Sequence, residues 1–304
     1  MEAIRLAAVT KTFGETIAVQ DLSFSIPAGG LYGFIGPNGA GKTTTIRMLM
    51  SILFPDSGTL EVLGHDTALE AKDKIGYLPE ERGVYKSMRV GAYLKYIARL
   101  KGVADAVIDA RIDELLHRVE LPDVGASPCE ELSKGMRQKV QFAAAIINEP
   151  ELLILDEPFS GLDPVSMRLL RDQIVKEHER GATILFSTHV MPQAEDICDH
   201  VIMMHKGRKV LDDPIREIRG QFDIGRVLVE PLEADADTSA LGGIRGVEAV
   251  RLRDGQIVLE LADGTDQARV MRRVAQALPV ARMELSRPRL EDVFVRLVAA
   301  EADA

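Results

Sequence analysis

Several things are scarce in this sequence, and each scarcity removes a class of function. The 304 residues contain only two cysteines, Cys129 and Cys198, which form neither a C-x-x-C pair nor a metal-ligand cluster. A disulfide framework is thereby excluded, and free buried thiols are expected. No apolar run approaches the 18 or so residues of a membrane span. The start, Met1 to Leu6, lacks the basic segment followed by a long apolar one that marks a secretory signal, so a cytoplasmic chain is expected. Positive charge is in deficit, with a formal net charge of −10. Phosphate-backbone affinity comes from clustered Lys and Arg, so no nucleic-acid partner is expected, although a local basic patch stays open. Lysine stops altogether at Lys209, beyond which every basic residue is arginine.

What is present is ordinary for a globular protein, with 46% hydrophobic and 28% charged residues and enough length for one large and one small domain. One stretch stands out. Gly36, Pro37, Asn38, Gly39, Ala40, Gly41, Lys42, Thr43 and Thr44 lie between an apolar strand, Leu31 to Ile35, and a helix-like segment reaching Met50. Glycines at this spacing let successive backbone N–H groups turn inward on an anion, and the helix N-terminus adds partial positive charge. Lys42 is suited to the β- and γ-phosphates of a nucleotide, and the Thr43 hydroxyl to the Mg²⁺ that bridges them. A glycine-rich loop alone often marks only a turn; strand, loop, lysine, threonine and helix together predict a nucleoside triphosphate site.

Upstream, Ala3 to Val9 and Thr16 to Ile26 alternate apolar and polar residues as antiparallel strands do, and Thr59 to Leu63 is expected to join them. Between the first two, Phe13 either stacks on a base or fills a small core. Lys74 to Glu81 reads as a strand and a proline-marked turn presenting Glu80. Ser87 is expected to cap a helical insertion, about residues 85–150, in which Val90, Leu94, Ile97 and Leu100 recur at helical spacing. Tyr93 and Tyr96 there belong either to a partner-binding groove or to core and rim.

The run Leu152 to Leu155 enters Asp156 and Glu157 directly, as a buried parallel strand delivering carboxylates at its carboxyl end. Asp156 is suited to Mg²⁺, and Glu157, one residue on, to polarising a water as general base. Asp163 followed by Pro164 reads as a helix start reaching Glu179, which capping alone would explain. Thr183 to Phe186 is another apolar strand, and of the six histidines only His189, at its carboxyl end, lies on the edge where α/β sheets place ligands. A boundary is placed near residue 221. Residues 222–304 then read as β-(α)-β-β-α-β, with an Asp254-Gly255 hairpin turn and a final helix from Leu290, a small ferredoxin-like α+β domain.

In this order the motifs resemble the nucleotide-binding subunit of an ATP-binding cassette (ABC) transporter over roughly residues 3 to 220. The segment Leu132-Ser133-Lys134-Gly135-Met136 resembles the signature that distinguishes this family from other P-loop proteins. The resemblance implies an α/β P-loop NTPase fold: a RecA-like parallel core (residues 1–221) carrying an antiparallel β subdomain and a helical subdomain. It implies ATP and Mg²⁺ as cofactors, Phe13 as the adenine-stacking aromatic, Glu157 as the catalytic carboxylate, His189 as the γ-phosphate switch, and Ser160 to Asp163 as the D-loop. It also implies a head-to-tail dimer, in which Ser133 and Gly135 of one subunit meet nucleotide held by the other. Two motifs depart from the usual pattern: Glu80 stands for a glutamine that ligates metal and water, and the signature, usually L-S-G-G-Q, reads L-S-K-G-M, with Lys134 for a glycine and Met136 for a glutamine.

The tail, Ser286 to Leu297, resembles ATPases serving bacterial ABC-2-type exporters. The expectation is a Mg²⁺-dependent ATPase, peripheral on the cytoplasmic face of the membrane, that drives separate transmembrane permease subunits, with a second nucleotide-binding subunit completing a homodimer. The alternative is a soluble ABC ATPase regulating a ribosome, nucleic-acid or protein partner; those relatives usually carry tandem cassettes or long coiled coils, and this chain has one cassette and neither.

Overall fold

Two long strands, β1 (Glu2–Phe13) and β2 (Thr16–Pro27), form a hairpin, and β4 (Ser57–Val62) pairs with the other edge of β1. All three are antiparallel, in the order β2-β1-β4. Their alternation is the cause of the arrangement. Leu22, Phe24 and Ile26 turn inward while Ser23 and Ser25 face solvent, so only one face of this sheet can be a core. In the computed structural model, residues 2–80, 83, 87–221, 225–233, 236–253, 256–262, 264–286 and 289–302 are described.

The main sheet has six strands. These are β3 (Leu31–Ile35), β5 (Ile75–Leu78), β6 (Leu152–Asp156), β7 (Thr183–Thr188), β8 (His200–His205) and β9 (Arg208–Pro214), in the order β5-β6-β7-β3-β8-β9. The first five are parallel, and β9 returns antiparallel through the hairpin expected around Lys206-Gly207. Every residue of β3, β6 and β7 is buried, which is why those segments read as unbroken apolar runs. One core continues from the antiparallel sheet through α1 (Lys42–Leu49) to the inner strands, joining Leu22, Phe24, Ile46, Leu49, Phe34 and Ile154.

The helical insertion holds α2 (Val90–Leu100) and α3 (Asp105–Arg118), followed by α4 (Lys134–Ile146). Ser87 does not cap α2, contrary to the sequence expectation. Its first N–H, on Val90, donates to the Ser127 carbonyl at 3.0 Å, so a backbone acceptor does what a side-chain cap would have done. Tyr93 is buried and Tyr96 exposed, which assigns the first to the core. Ser133 caps α4, accepting from Met136 N at 3.2 Å, and Asp163 caps α5 (Pro164–Glu179), accepting from Val165 N and Ser166 N. The helices α6 (Met191–Ile197) and α7 (Ile215–Gln221) follow β7 and β9. Cys129 and Cys198 are buried and unpaired, and burial pushes both thiols up in pKa.

Contacts divide the chain into two units, residues 1–215 and 216–304, at the start of α7 rather than at its end. In the second, β10 (Arg226–Pro231), β11 (Val247–Arg253), β12 (Gln256–Leu261) and β13 (Val280–Ser286) form an antiparallel sheet ordered β11-β12-β10-β13. Val227, Val229, Ile257 and Leu259 pack on Val270 and Val274 of α8 (Gln267–Ala277), and α9 (Leu290–Ala302) closes the sequence of elements. The order is that of the expected β-(α)-β-β-α-β plan. Where the first connection left a helix open, its described residues carry a 3₁₀ turn, Ser239–Gly243, since the acidic lead-in has no helical apolar period to bury. The Asp254-Gly255 turn lies outside the described residues.

Gly76 in β5 shows how tightly α4 is set against the sheet. A Cβ there would lie 2.2 Å from the Ala145 carbonyl oxygen and 2.9 Å from Pro150 Cγ, and neither backbone nor ring can give way. Gly76→Ala is expected to cost about 1–3 kcal/mol of stability, the usual range for overpacking. Thermal denaturation should show a melting point lower by several degrees; an unchanged one would contradict this packing.

Candidate active site

The parallel register brings three strand ends to one edge. Asp156 of β6 lies beside Ser187 of β7, and Ile35 of β3 beside Thr188, so the phosphate loop, the two carboxylates and His189 emerge together. The loop runs straight from β3 into α1, whose N-cap is Gly41 rather than a residue nearer Thr44. Gly41 has φ of 102°, a left-handed value that costs glycine nothing, and a Cβ there would stand 2.6 Å from Ala18 O. The helix therefore starts at Lys42, two residues earlier than the sequence pattern suggests.

A cleft of about 380 Å³ opens over this loop, lined by Thr16 to Ala18, Asn38 to Thr44, Glu80 and Glu157. Lys42 is 6% exposed, and its Nζ donates to the carbonyls of Gly36 (2.7 Å) and Pro37 (3.2 Å), 4.0 Å from Glu157 Oε1. Burial lowers the Lys42 pKa, while Glu157, Asp156 and Glu80 pull it back up. Asp156 is 1% exposed. The Ser187 hydroxyl donates to its Oδ1, and Oδ2 is buried without a hydrogen-bond partner. Burial raises the Asp156 pKa, the Ser187 and Thr43 hydroxyls lower it, and the Glu80 and Glu157 charges raise it further.

Glu157 sits at φ 49°, an uncommon conformation for a residue with a side chain, held by its N–H bonding Ser187 at 3.2 Å. That turn separates two consecutive carboxylates: Asp156 stays in the buried floor, and Glu157 faces the cleft, where its Oε1 shares a hydrogen bond with His189 Nδ1 at 2.8 Å. The unpartnered oxygen of Asp156, with the Thr43 hydroxyl and Glu80 near it, is the donor set a hard cation such as Mg²⁺ takes. Among the described residues no group of three or more His, Cys, Asp or Glu is disposed to hold a metal by itself. A Mg²⁺ site completed by nucleotide phosphates needs only one or two such ligands.

Known families match segments in both units of the chain. The ABC transporter family profile matches residues 19–160, and that of the DrrA1-3-like ATP-binding protein C-terminal domain matches residues 214–298. The ABC transporter ATP-binding protein YhaQ of Bacillus subtilis is 37% identical over 292 residues, covering 96% of this chain and 97% of YhaQ. The chain belongs to the ABC transporter ATP-binding proteins. Nod factor export ATP-binding protein I of Mesorhizobium japonicum is 33% identical across 99% of this chain and 88% of its own length. A solved ATP-binding subunit of an ABC transporter superposes with a TM-score of 0.67 at 30% identity, over 72% of this chain and 93% of that one.

Within this ABC subunit, the sequence-predicted residues fall into two groups. The loop residues, Glu80, Asp156, Glu157 and His189 converge on the cleft or its floor. Ser133, Gly135 and Asp163 do not line it; Ser133 and Asp163 cap helices, and a Cβ on Gly135 would meet only Leu162, at 3.7 Å. Phe13, at the end of β1, is 48% exposed, which removes the small-core reading, and Lys11 Nζ lies 5.6 Å from its ring centre. Ser187 was missed, although a serine interrupting the apolar run of β7 was a visible signal. Gln138 was missed as well: its amide donates to Pro158 O at 2.9 Å, tying α4 to the turn after Glu157, and only the fold makes that contact visible.

Because Asp156 has a folded pKa above its ordinary one, its ionised form costs stability at neutral pH, and the cost falls away as pH drops through the folded value. Asp156→Asn removes that charge. The nucleotide-free variant is expected to melt about 2–4 °C higher for each kcal/mol recovered, while stabilisation by ATP with Mg²⁺ is lost. A lower melting point without nucleotide would contradict the reading of a buried carboxylate waiting for a cation.

Proposed function

We propose that this subunit is the Mg²⁺-dependent ATPase of an ABC-2-type exporter, acting as a homodimer on separate transmembrane subunits at the cytoplasmic face of the membrane. The observation that carries the export reading is the likeness across nearly the whole chain to Nod factor export ATP-binding proteins, joined to the DrrA1-3-like match of the tail. Among the described residues no helix is long and apolar enough to cross a membrane, so a subunit of this kind needs partners that do.

The residues divide the work as follows. Phe13, beside the cleft-lining Thr16 to Ala18, stacks on the base, and the backbone of residues 36–41 with Lys42 holds the phosphates. Lys42 leaves its carbonyl contacts on Gly36 and Pro37 for phosphate oxygens, a stronger charge-assisted exchange. Thr43, Asp156 and Glu80 hold Mg²⁺ directly or through water; the ion supplies charge neutralisation of the phosphates. Glu157 takes the proton from water at its Oε carboxyl, oriented by the His189 hydrogen bond. Ser133, Gly135 and the D-loop to Asp163, placed outside their own cleft, meet nucleotide held by the second subunit, and a two-fold arrangement makes both sites equivalent.

Glu157→Gln is expected to retain ATP binding and to lose turnover by about 10²–10⁴-fold, the scale of a general base; turnover at the parental rate would sink the assignment. The same variant, tagged and isolated with ATP from detergent-solubilised native membranes, should carry a polytopic membrane protein absent from an untagged control. Recovery of soluble or ribosomal partners alone would replace the exporter reading.

A further inference from the structure

The second unit carries a charged feature that ATP hydrolysis does not use. Arg245, on the turn before β11, and Arg269 and Arg273, on α8, line one concavity of about 510 Å³ together with Gly243, Ile244 and Gln276. All three arginines are exposed, and among the described residues none has an ion pair or a side-chain hydrogen bond. Elsewhere in this domain Arg226, Arg251 and Arg282 are each paired with a glutamate. No carboxylate lines the concavity, and the sequence from Gln267 to Met283 contains no acidic residue in a chain of net charge −10. Of the acids nearest in sequence, Asp266 is engaged as the N-cap of α8, accepting from Arg269 N at 3.0 Å, and Glu248, three positions after Arg245, neither lines the concavity nor forms an ion pair with Arg245.

Placing like charges at Arg269 and Arg273, one turn apart on the same helix face, works against the helix rather than for it. An anion in the concavity reverses the sign of that interaction. A single carboxylate brings one negative charge to three guanidinium groups; a phosphate ester brings more charge and several acceptor oxygens, matched by the planar forks of arginine. The volume is in the range of small-ligand sites and exceeds what a bare ion needs. Gly243 adds open space at the rim, since a Cβ there would meet nothing within 4 Å.

We infer that this concavity binds a phosphate-bearing group, with Arg245, Arg269 and Arg273 as its ligands. The group is supplied either by a soluble phosphoester or by a phospholipid headgroup, and the chemistry at the arginines is the same. Two measurements on the full chain, both with the phosphate loop occupied by ADP and Mg²⁺, separate the sources. The first is calorimetric titration with glycerol 3-phosphate, with glycerol as the uncharged control. The second is sedimentation with phosphatidylglycerol vesicles against vesicles of phosphatidylcholine alone.

Arg245→Gln/Arg273→Gln is expected to weaken binding by about tenfold or more, the loss that follows removal of charge-assisted contacts, with ADP affinity unchanged as the report of an intact cassette and an unchanged far-ultraviolet circular dichroism spectrum and thermal unfolding profile as the report of an intact second unit. Arginine-dependent binding of glycerol 3-phosphate assigns a soluble ligand, and arginine-dependent, phosphatidylglycerol-selective sedimentation assigns a headgroup; either supports the site. Equal behaviour of parent and variant in both measurements overturns it. Should the double variant fail to fold, Arg245→Gln, on an exposed turn outside sheet and helix, carries the same test.

Discussion

Three ionisable side chains, Lys42, Asp156 and Glu157, are held almost out of water at the carboxyl edge of a parallel sheet, and the cassette is built to keep them there. Burying charge is expensive, and a lysine 4.0 Å from a carboxylate offsets only part of the cost. The remainder is covered by the fold. Every residue of β3, β6 and β7 is buried, so their ends cannot retreat to water, and the loop carbonyls of Gly36 and Pro37 satisfy the ammonium. One carboxylate oxygen, Asp156 Oδ2, is left without a partner. The site is thus arranged for a ligand rather than for the stability of the empty protein, as functional sites often are.

From that edge the constraint spreads outward. Ser187 fixes Asp156 through its hydroxyl and Glu157 through backbone and side-chain oxygens, so one residue of β7 sets the positions of both carboxylates. His189, two residues further along the same strand end, reaches Glu157. Gln138 ties the start of α4 to Pro158, immediately after Glu157, which links the signature segment to the same turn. Hydrogen bonds thus join α4, β7 and His189 to the turn that carries Glu157, whose backbone is left-handed.

Much of this was legible in the sequence because the signals are local. The phosphate loop, the apolar run into Asp156-Glu157, the Asp163-Pro164 helix start and the Lys206-Gly207 hairpin each announce themselves within a few residues. What was not legible depends on distant chain. Ser87 resembled a cap, but Val90 takes its acceptor from Ser127, nearly forty positions away, and no local rule anticipates that. The first connection of the second unit, where a helix was left open, carries a 3₁₀ turn among its described residues, and its acidic stretch without helical period was already visible in the sequence. Phe13 was ambiguous from sequence because an aromatic on a turn satisfies either a core or a base; its exposure decides which surface is offered, not what covers it.

The two charged departures from the family pattern, Glu80 and Lys134, bear on the same electrostatic balance. Glu80 lines the cleft and adds its negative charge to that of Glu157 beside Asp156, raising the pKa of Asp156 and also that of Lys42. A glutamine there would supply an oxygen without the charge, so the cleft with Glu80 is less comfortable empty and better matched to a divalent cation. Lys134 stands at the first position of α4, where a cation opposes the helix dipole, and it is exposed with no carboxylate paired to it among the described residues. Both residues concentrate one sign of charge where the fold leaves it uncompensated, Glu80 beside Asp156 and Glu157 and Lys134 at a helix N-terminus, and each position is suited to a ligand of opposite charge.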